Sequence, residues 1–131
     1  MINGFVARRV VRGMSKSRKE KRDIRSTVDG HEFDLQSWLR FFDLLEKRDN
    51  VWRIVKRTAI YEKDRLEPVD PRGVPKEVFD DMELSAFPAS AKFLCYWQRR
   101  SGRSPSTHII SAYSDEERAL REEGEAWLEN G

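Results

Sequence analysis

Phe33-Asp34-Leu35-Gln36-Ser37-Trp38-Leu39-Arg40-Phe41-Phe42-Asp43-Leu44-Leu45 places eight apolar residues in thirteen, and the reading of this stretch decides the fold. Leu35, Trp38, Leu39, Phe42 and Leu45 recur at intervals of three and four, the spacing of one helix face. Phe41 and Leu44 widen that face, which predicts a helix at the centre of the core. Asp34 suits an N-cap, with Phe33 closing over the first turn. Glu46-Lys47-Arg48 ends the stretch with cations where a helix dipole favours them.

Downstream, Asp49-Asn50 reads as a turn. Val51, Ile54, Val55 and Thr58 then fit a second helical face running to Tyr61 or Glu62. Trp52, Ile54 and Ile60 would equally suit an extended segment, because β-branched and aromatic residues favour strands. With no hairpin signal within reach after them, the helix is preferred, and the two helices are expected to form an antiparallel pair. Pro68, Pro71, Gly73 and Pro75 mark a loop over residues 67–75. Pro75 opens a helix carrying Val78, Phe79 and Met82, and Pro88 opens another carrying Ala91, Leu94, Cys95 and Gln98. Gly102 lies where that helix would stop. Residues 107–113 are β-prone. Ser114 with Glu117 makes a capping box for an acidic helix over residues 115–129. The expected fold class is therefore mostly α: a small single-domain bundle of about four to five helices, with at most one short β segment near residues 107–113.

Upstream, Val28-Asp29-Gly30 reads as a turn that closes a basic N-terminal arm, residues 1–28, helical or ordered only on binding. The helical body would be residues 29–131. The chain has 131 residues, suited to one domain, and 37% of them are charged. That exceeds the usual share of about 25%. The net charge of +2 is polarised: residues 1–28 hold nine Lys/Arg against two acids, and residues 113–131 hold seven acids against two Arg. A segment so basic attracts phosphate or another polyanion, more weakly as salt rises. Alternatively it folds against the chain's own acidic tail.

Little in the sequence points to catalysis. His31 and His108 are far apart, and His31 with Glu32 and Asp34 has poor spacing for a metal or an acid–base pair. Cys95 lies within an apolar pattern beside Leu94 and Tyr96, the setting of an inert buried thiol. No phosphate loop, dinucleotide fingerprint or nucleophile elbow is present, so the expectation is a protein that is not an enzyme and takes no cofactor or metal. Cys95 is the only cysteine, and no apolar run approaches the roughly 18 residues that span a bilayer. Both fit a cytoplasmic setting without a transmembrane segment. The acid-poor, Arg-rich start also has the composition of an organelle transit peptide, and Met14 is a second candidate start.

The stretch Gln98-Arg99-Arg100-Ser101-Gly102-Arg103-Ser104 could surround a phosphate or carboxylate, with Tyr96 and Trp97 offering faces for stacking. The functional expectation is a non-catalytic module that docks on nucleic acid or a nucleoprotein complex. Its contacts would be Arg8, Arg9, Arg12, Lys16, Arg18, Lys19, Lys21, Arg22 and Arg25 of the arm, with Arg99, Arg100 and Arg103 of the loop. Phosphate contacts of this kind give affinity with little sequence choice. The alternative is a protein–protein adaptor, inhibitor or assembly subunit, including a homo-oligomer joined through its oppositely charged ends. A small hydrolase or nuclease using the His31–Asp34 cluster is the third reading.

Overall fold

The computed structural model describes residues 10–105 and 108–130. Arg8 and Arg9, part of the expected arm, lie outside the described residues. The stretch that reads as the central helix is instead a strand, β3, running His31–Arg48. The expected second helix is also a strand, β4, spanning Val51–Pro68. Upstream, β1 (Val11–Lys16) and β2 (Glu20–Val28) both pair antiparallel with β3, β1 along its C-terminal half and β2 along its N-terminal half. β4 lies antiparallel on the other side of β3, and a two-residue β5 (Ile110–Ser111) runs parallel to β4. The result is a mixed sheet curved into a half-barrel, with three α-helices among the described residues: α1 (Lys76–Asp80), α2 (Lys92–Arg100) and α3 (Asp115–Glu129). The helical bundle inferred from periodicity is thus corrected to a β-rich fold, and most of the described part of the basic arm is strand.

The physical reason lies in the turns and in a two-step alternation. Val28 pairs with His31 across Asp29-Gly30, and Arg48 pairs with Val51 across Asp49-Asn50. All four turn residues have positive φ (50°, 80°, 51° and 63°). Two-residue turns with this backbone match the twist of paired strands. Along β3, Phe33, Leu35, Ser37 and Leu39 are buried while the residues between them are only partly covered, the period of a pleated strand. Farther on, Phe42, Asp43 and Leu44 are buried in succession, because both faces of the sheet are covered there. The register shifts between Trp38 and Leu39 and between Leu44 and Leu45, leaving Glu62 and Val55 as extra residues of β4 at two bulges, which sharpen the bend of the sheet.

Two cores occupy opposite faces at opposite ends. On one face Phe33 and Val28 pack with Val78 of α1, Met82 and Tyr96 of α2. Phe33 is fully buried, and losing such a ring costs roughly 3–5 kcal/mol. On the other face Phe42, Leu44 and Ile60 pack with Leu120 and Trp127 of α3. The chain passes from one face to the other at β5. The start of α2 is fastened from the sheet: the Asp64 carboxylate accepts from the amides of Phe93 and Leu94, each at 2.9 Å, two of the donors that a helix leaves unpaired at its N-terminus.

Candidate functional site

Where α2 crosses the sheet beyond Asp64 it leaves a cleft of about 310 Å³. Its floor is made by β2, β3 and β4. Arg22 sits opposite Ser37, and Leu39 opposite Tyr61; Ile24 and Phe41 continue the same face. Its wall is Leu94, Trp97 and Gln98 of α2, with Arg103 from the loop beyond. The volume is at the lower end of small-molecule sites, roughly 300–1,000 Å³. Two more open hollows lie at the β3–β4 turn, beside Val11 and Lys47, and between α3 and β4, beside Thr58, His108 and Glu123. The cleft differs from both in gathering three aromatic rings.

Cations hold those rings from outside. The Arg22 and Arg57 guanidiniums lie 5.2 Å and 4.4 Å from the Phe41 ring centre, and Arg103 lies 5.5 Å from that of Trp97. Contacts of this kind contribute roughly 0.5–1 kcal/mol at exposed sites. Arg57 is committed to Asp43 through two hydrogen bonds of 2.9 Å. Arg22 has only a 3.8 Å contact with Glu20, and Arg103 is exposed, so both remain open to an incoming anion.

Inside the cleft two polar atoms lack partners. Ser37, 6% exposed, has no hydrogen bond at Oγ, and neither has Gln98 at Oε1. Buried polar groups are nearly always satisfied, and an unpaired one costs about 1–3 kcal/mol. Both lie at the cleft without a protein partner, the hydroxyl able to donate or accept and the amide oxygen able to accept. Nearby, burial raises the pKa of the Tyr61 phenol. Burial, and then the charge of Asp64, raises that of the Cys95 thiol, which keeps it protonated and unreactive at neutral pH. Among the described residues no group of three His, Cys, Asp or Glu is placed to hold a metal. No helix among the described residues is long and apolar enough to cross a membrane.

Of the twelve cations expected to hold nucleic acid, the ten that lie among the described residues are dispersed. Six of these have carboxylate partners in the same chain, and Arg22 has its loose 3.8 Å contact with Glu20. Arg12 meets Glu46, Lys16 meets Glu117 and Lys19 meets Glu62. Lys21 meets Asp23, Arg25 meets Asp34 and Arg100 meets Asp29. Arg99 lies over Phe87 instead. The structure does bring Arg22 of the N-terminal segment and Arg103 of the loop to one cleft. Ser37, Phe41 and Tyr61 went unrecognised in the sequence, because the stretches that carry them read there as helix. The alternation of Phe33, Leu35, Ser37 and Leu39 is the signal that would have found Ser37.

No family model matches the chain. Among curated proteins it is similar to pea pathogenicity protein 2 of the fungus Fusarium vanettenii, 41% identical over 76 residues, which are 56% of this chain and 31% of that protein. It is also similar to a PEP2-like protein of the same fungus, 35% identical over 74 residues, again 56% of this chain and 31% of the relative. The chain thus matches about a third of the length of these curated relatives.

Proposed function

We propose that this is a non-catalytic binding protein whose cleft between the sheet and α2 takes a small planar organic anion. One observation carries the reading: Arg22 and Arg103 converge on a cleft walled by aromatic rings, in which Ser37 Oγ and Gln98 Oε1 have no partner. A flat ring would lie among Phe41, Tyr61 and Trp97. Its carboxylate or phosphate would meet the two guanidiniums, whose forked donors match such groups. The buried hydroxyl and amide would set its orientation.

Titration with 2-naphthoate, followed by tryptophan fluorescence and calorimetry, tests this reading. Arg103→Ala and Arg22→Ala should each weaken binding at least fivefold, Arg18→Ala should leave it unchanged, and the neutral 2-naphthol should bind more weakly than the acid. Equal binding of acid and alcohol, or indifference to both cleft arginines, would remove the proposal. Docking of a nucleic-acid backbone along residues 8–25 has less support, since most of the described cations there already face carboxylates. Affinity for duplex or single-stranded DNA that falls steeply with salt, and is lost on replacing Arg18 and Lys21 by Ala, would favour it instead.

A further inference from the structure

Over residues 51–57, β4 is paired on one side only among the described residues, and the chain that enters β5 runs beside Thr58 and Ala59. β3 holds its inner edge throughout, whereas β5 meets its outer edge at Ile60 and Tyr61 and, among the described residues, nowhere else. Residues 51–57 are exposed on both faces. Val51, Trp52, Ile54 and Val55 each leave 48–51% of their surface in water. A free edge of this kind is a template for another strand, and proteins blunt such edges with charge or bulges. Here the bulge at Val55 divides the edge into two runs, 51–54 and 56–57. The charge is of one sign: Arg53, Lys56 and Arg57, with no acid before Glu62.

That charge discriminates between occupants. Two copies of this chain meeting edge to edge would bring Arg53 and Lys56 of each into adjacent strands. Of those four cations only the two lysines have an ion-pair contact among the described residues, at 3.8 Å, and like charges across a strand pair are destabilising. A strand that carries acids meets the opposite condition, so the cations that exclude self-pairing select a partner. Arg57 is held by Asp43. The selecting charges are Arg53, which has no ion pair among the described residues, and Lys56, whose contact with Glu123 is a loose 3.8 Å.

We propose that residues 51–57 of β4 bind an extended acidic segment of a partner protein, which adds to the sheet as a further strand. Its backbone would pair with the free edge, its apolar side chains would cover Trp52 and Ile54, and its carboxylates would meet Arg53 and Lys56. This site is separate from the cleft and does not depend on it.

The probe is a capped nine-residue peptide of alternating Glu and Val, titrated into isotope-labelled full-length chain and followed by amide chemical shifts and hydrogen exchange. The matching Lys/Val peptide is the control. The Glu/Val peptide should shift amides of residues 51–57 and slow their exchange, and the Lys/Val peptide should not. The exposed double substitution Arg53→Glu with Lys56→Glu should weaken the acidic peptide at least tenfold and gain affinity for the basic one. Three results overturn the proposal: no shifts along β4, equal response to both peptides, or a concentration-dependent dimer that protects the same amides without peptide. Should the double variant not fold, the comparison of the two peptides on the unmodified chain still decides.

Discussion

Asp64 divides its carboxylate between two tasks. Oδ2 holds the first amides of α2, while Oδ1 is buried beside the cleft without a partner. Burial is the larger influence. It outweighs the amides of Leu94 and Phe93 and the charge of Lys92, raising the pKa from the ordinary 3.8 to about 6. The folded carboxyl therefore keeps its proton more tightly than the unfolded one. Its contribution to stability is fully present below pH 3.8 and is lost as the pH rises through about 6. Allowing for screening of a partly exposed group, the effect is about 2 kcal/mol or less. Asp64→Asn retains an acceptor for the two amides and removes the titration. Urea unfolding at pH 4, 5, 6 and 7 should show the decline in the native chain and a flatter profile in the variant. A decline that persists unchanged in the variant assigns it to other groups. None of this was legible in the sequence, where Asp64 is one carboxylate among many alternating with Lys and Arg. Cys95 was easier, because Leu94 and Tyr96 beside it already describe the buried thiol that the structure contains.

At the level of elements, β3 shows how one apolar pattern fits two periods. Leu35, Trp38, Leu39, Phe42 and Leu45 satisfy helical spacing, yet Phe33, Leu35, Ser37 and Leu39 are the residues that share a buried face. Ser37 hides the alternation by placing a hydroxyl at a core position, and Trp38 hides it by placing an indole on the opposite face. Beyond Phe41 both faces are covered, so no alternation exists to be read. The deciding information lay in the turns. Asp29-Gly30 and Asp49-Asn50 are recognisable as turns, but as two-residue connections between extended runs they specify hairpins. Asn50, with φ of 63°, gives a direct check. Asn50→Gly removes a side chain from a left-handed position and should hold or raise stability, by up to about 1 kcal/mol. Asn50→Val should lower it by about 1–2 kcal/mol, the cost of that backbone for a β-branched residue. Urea midpoints of the two variants measure both. The last helix was plain by contrast, because its signal is local: Ser114 Oγ accepts from the Glu117 amide at 3.1 Å.

Across the whole molecule, the opposite charges of the two chain ends meet. Lys16 of β1 faces Glu117, and from mid-chain Lys56 of β4 adds a contact with Glu123. Arg12 donates to the Trp127 carbonyl at 2.7 Å and lies over its ring. Composition disclosed that polarity, but whether it served an outside polyanion or the chain itself depended on β1 lying beneath α3. Close approach at Gly124 seals the contact: a Cβ there would come within 2.7 Å of Met14 Sδ and 2.8 Å of Phe42 Cζ. Gly124→Ala adds about 1 kcal/mol of helix propensity against overpacking of about 1–3 kcal/mol. The expected outcome is a net loss of stability, seen as a lower thermal midpoint; a higher midpoint would mean that α3 shifts freely on the sheet. The cleft itself was half readable. Trp97, Gln98 and Arg103 stand together in one Arg-rich stretch, whereas Arg22, Ser37, Phe41 and Tyr61 come from three strands and meet only through register.

The two cores sit on opposite faces at opposite ends of the same pair of strands. Substitutions around α2 can therefore reshape the wall of the cleft while the packing of α3 holds the other end of the sheet in place.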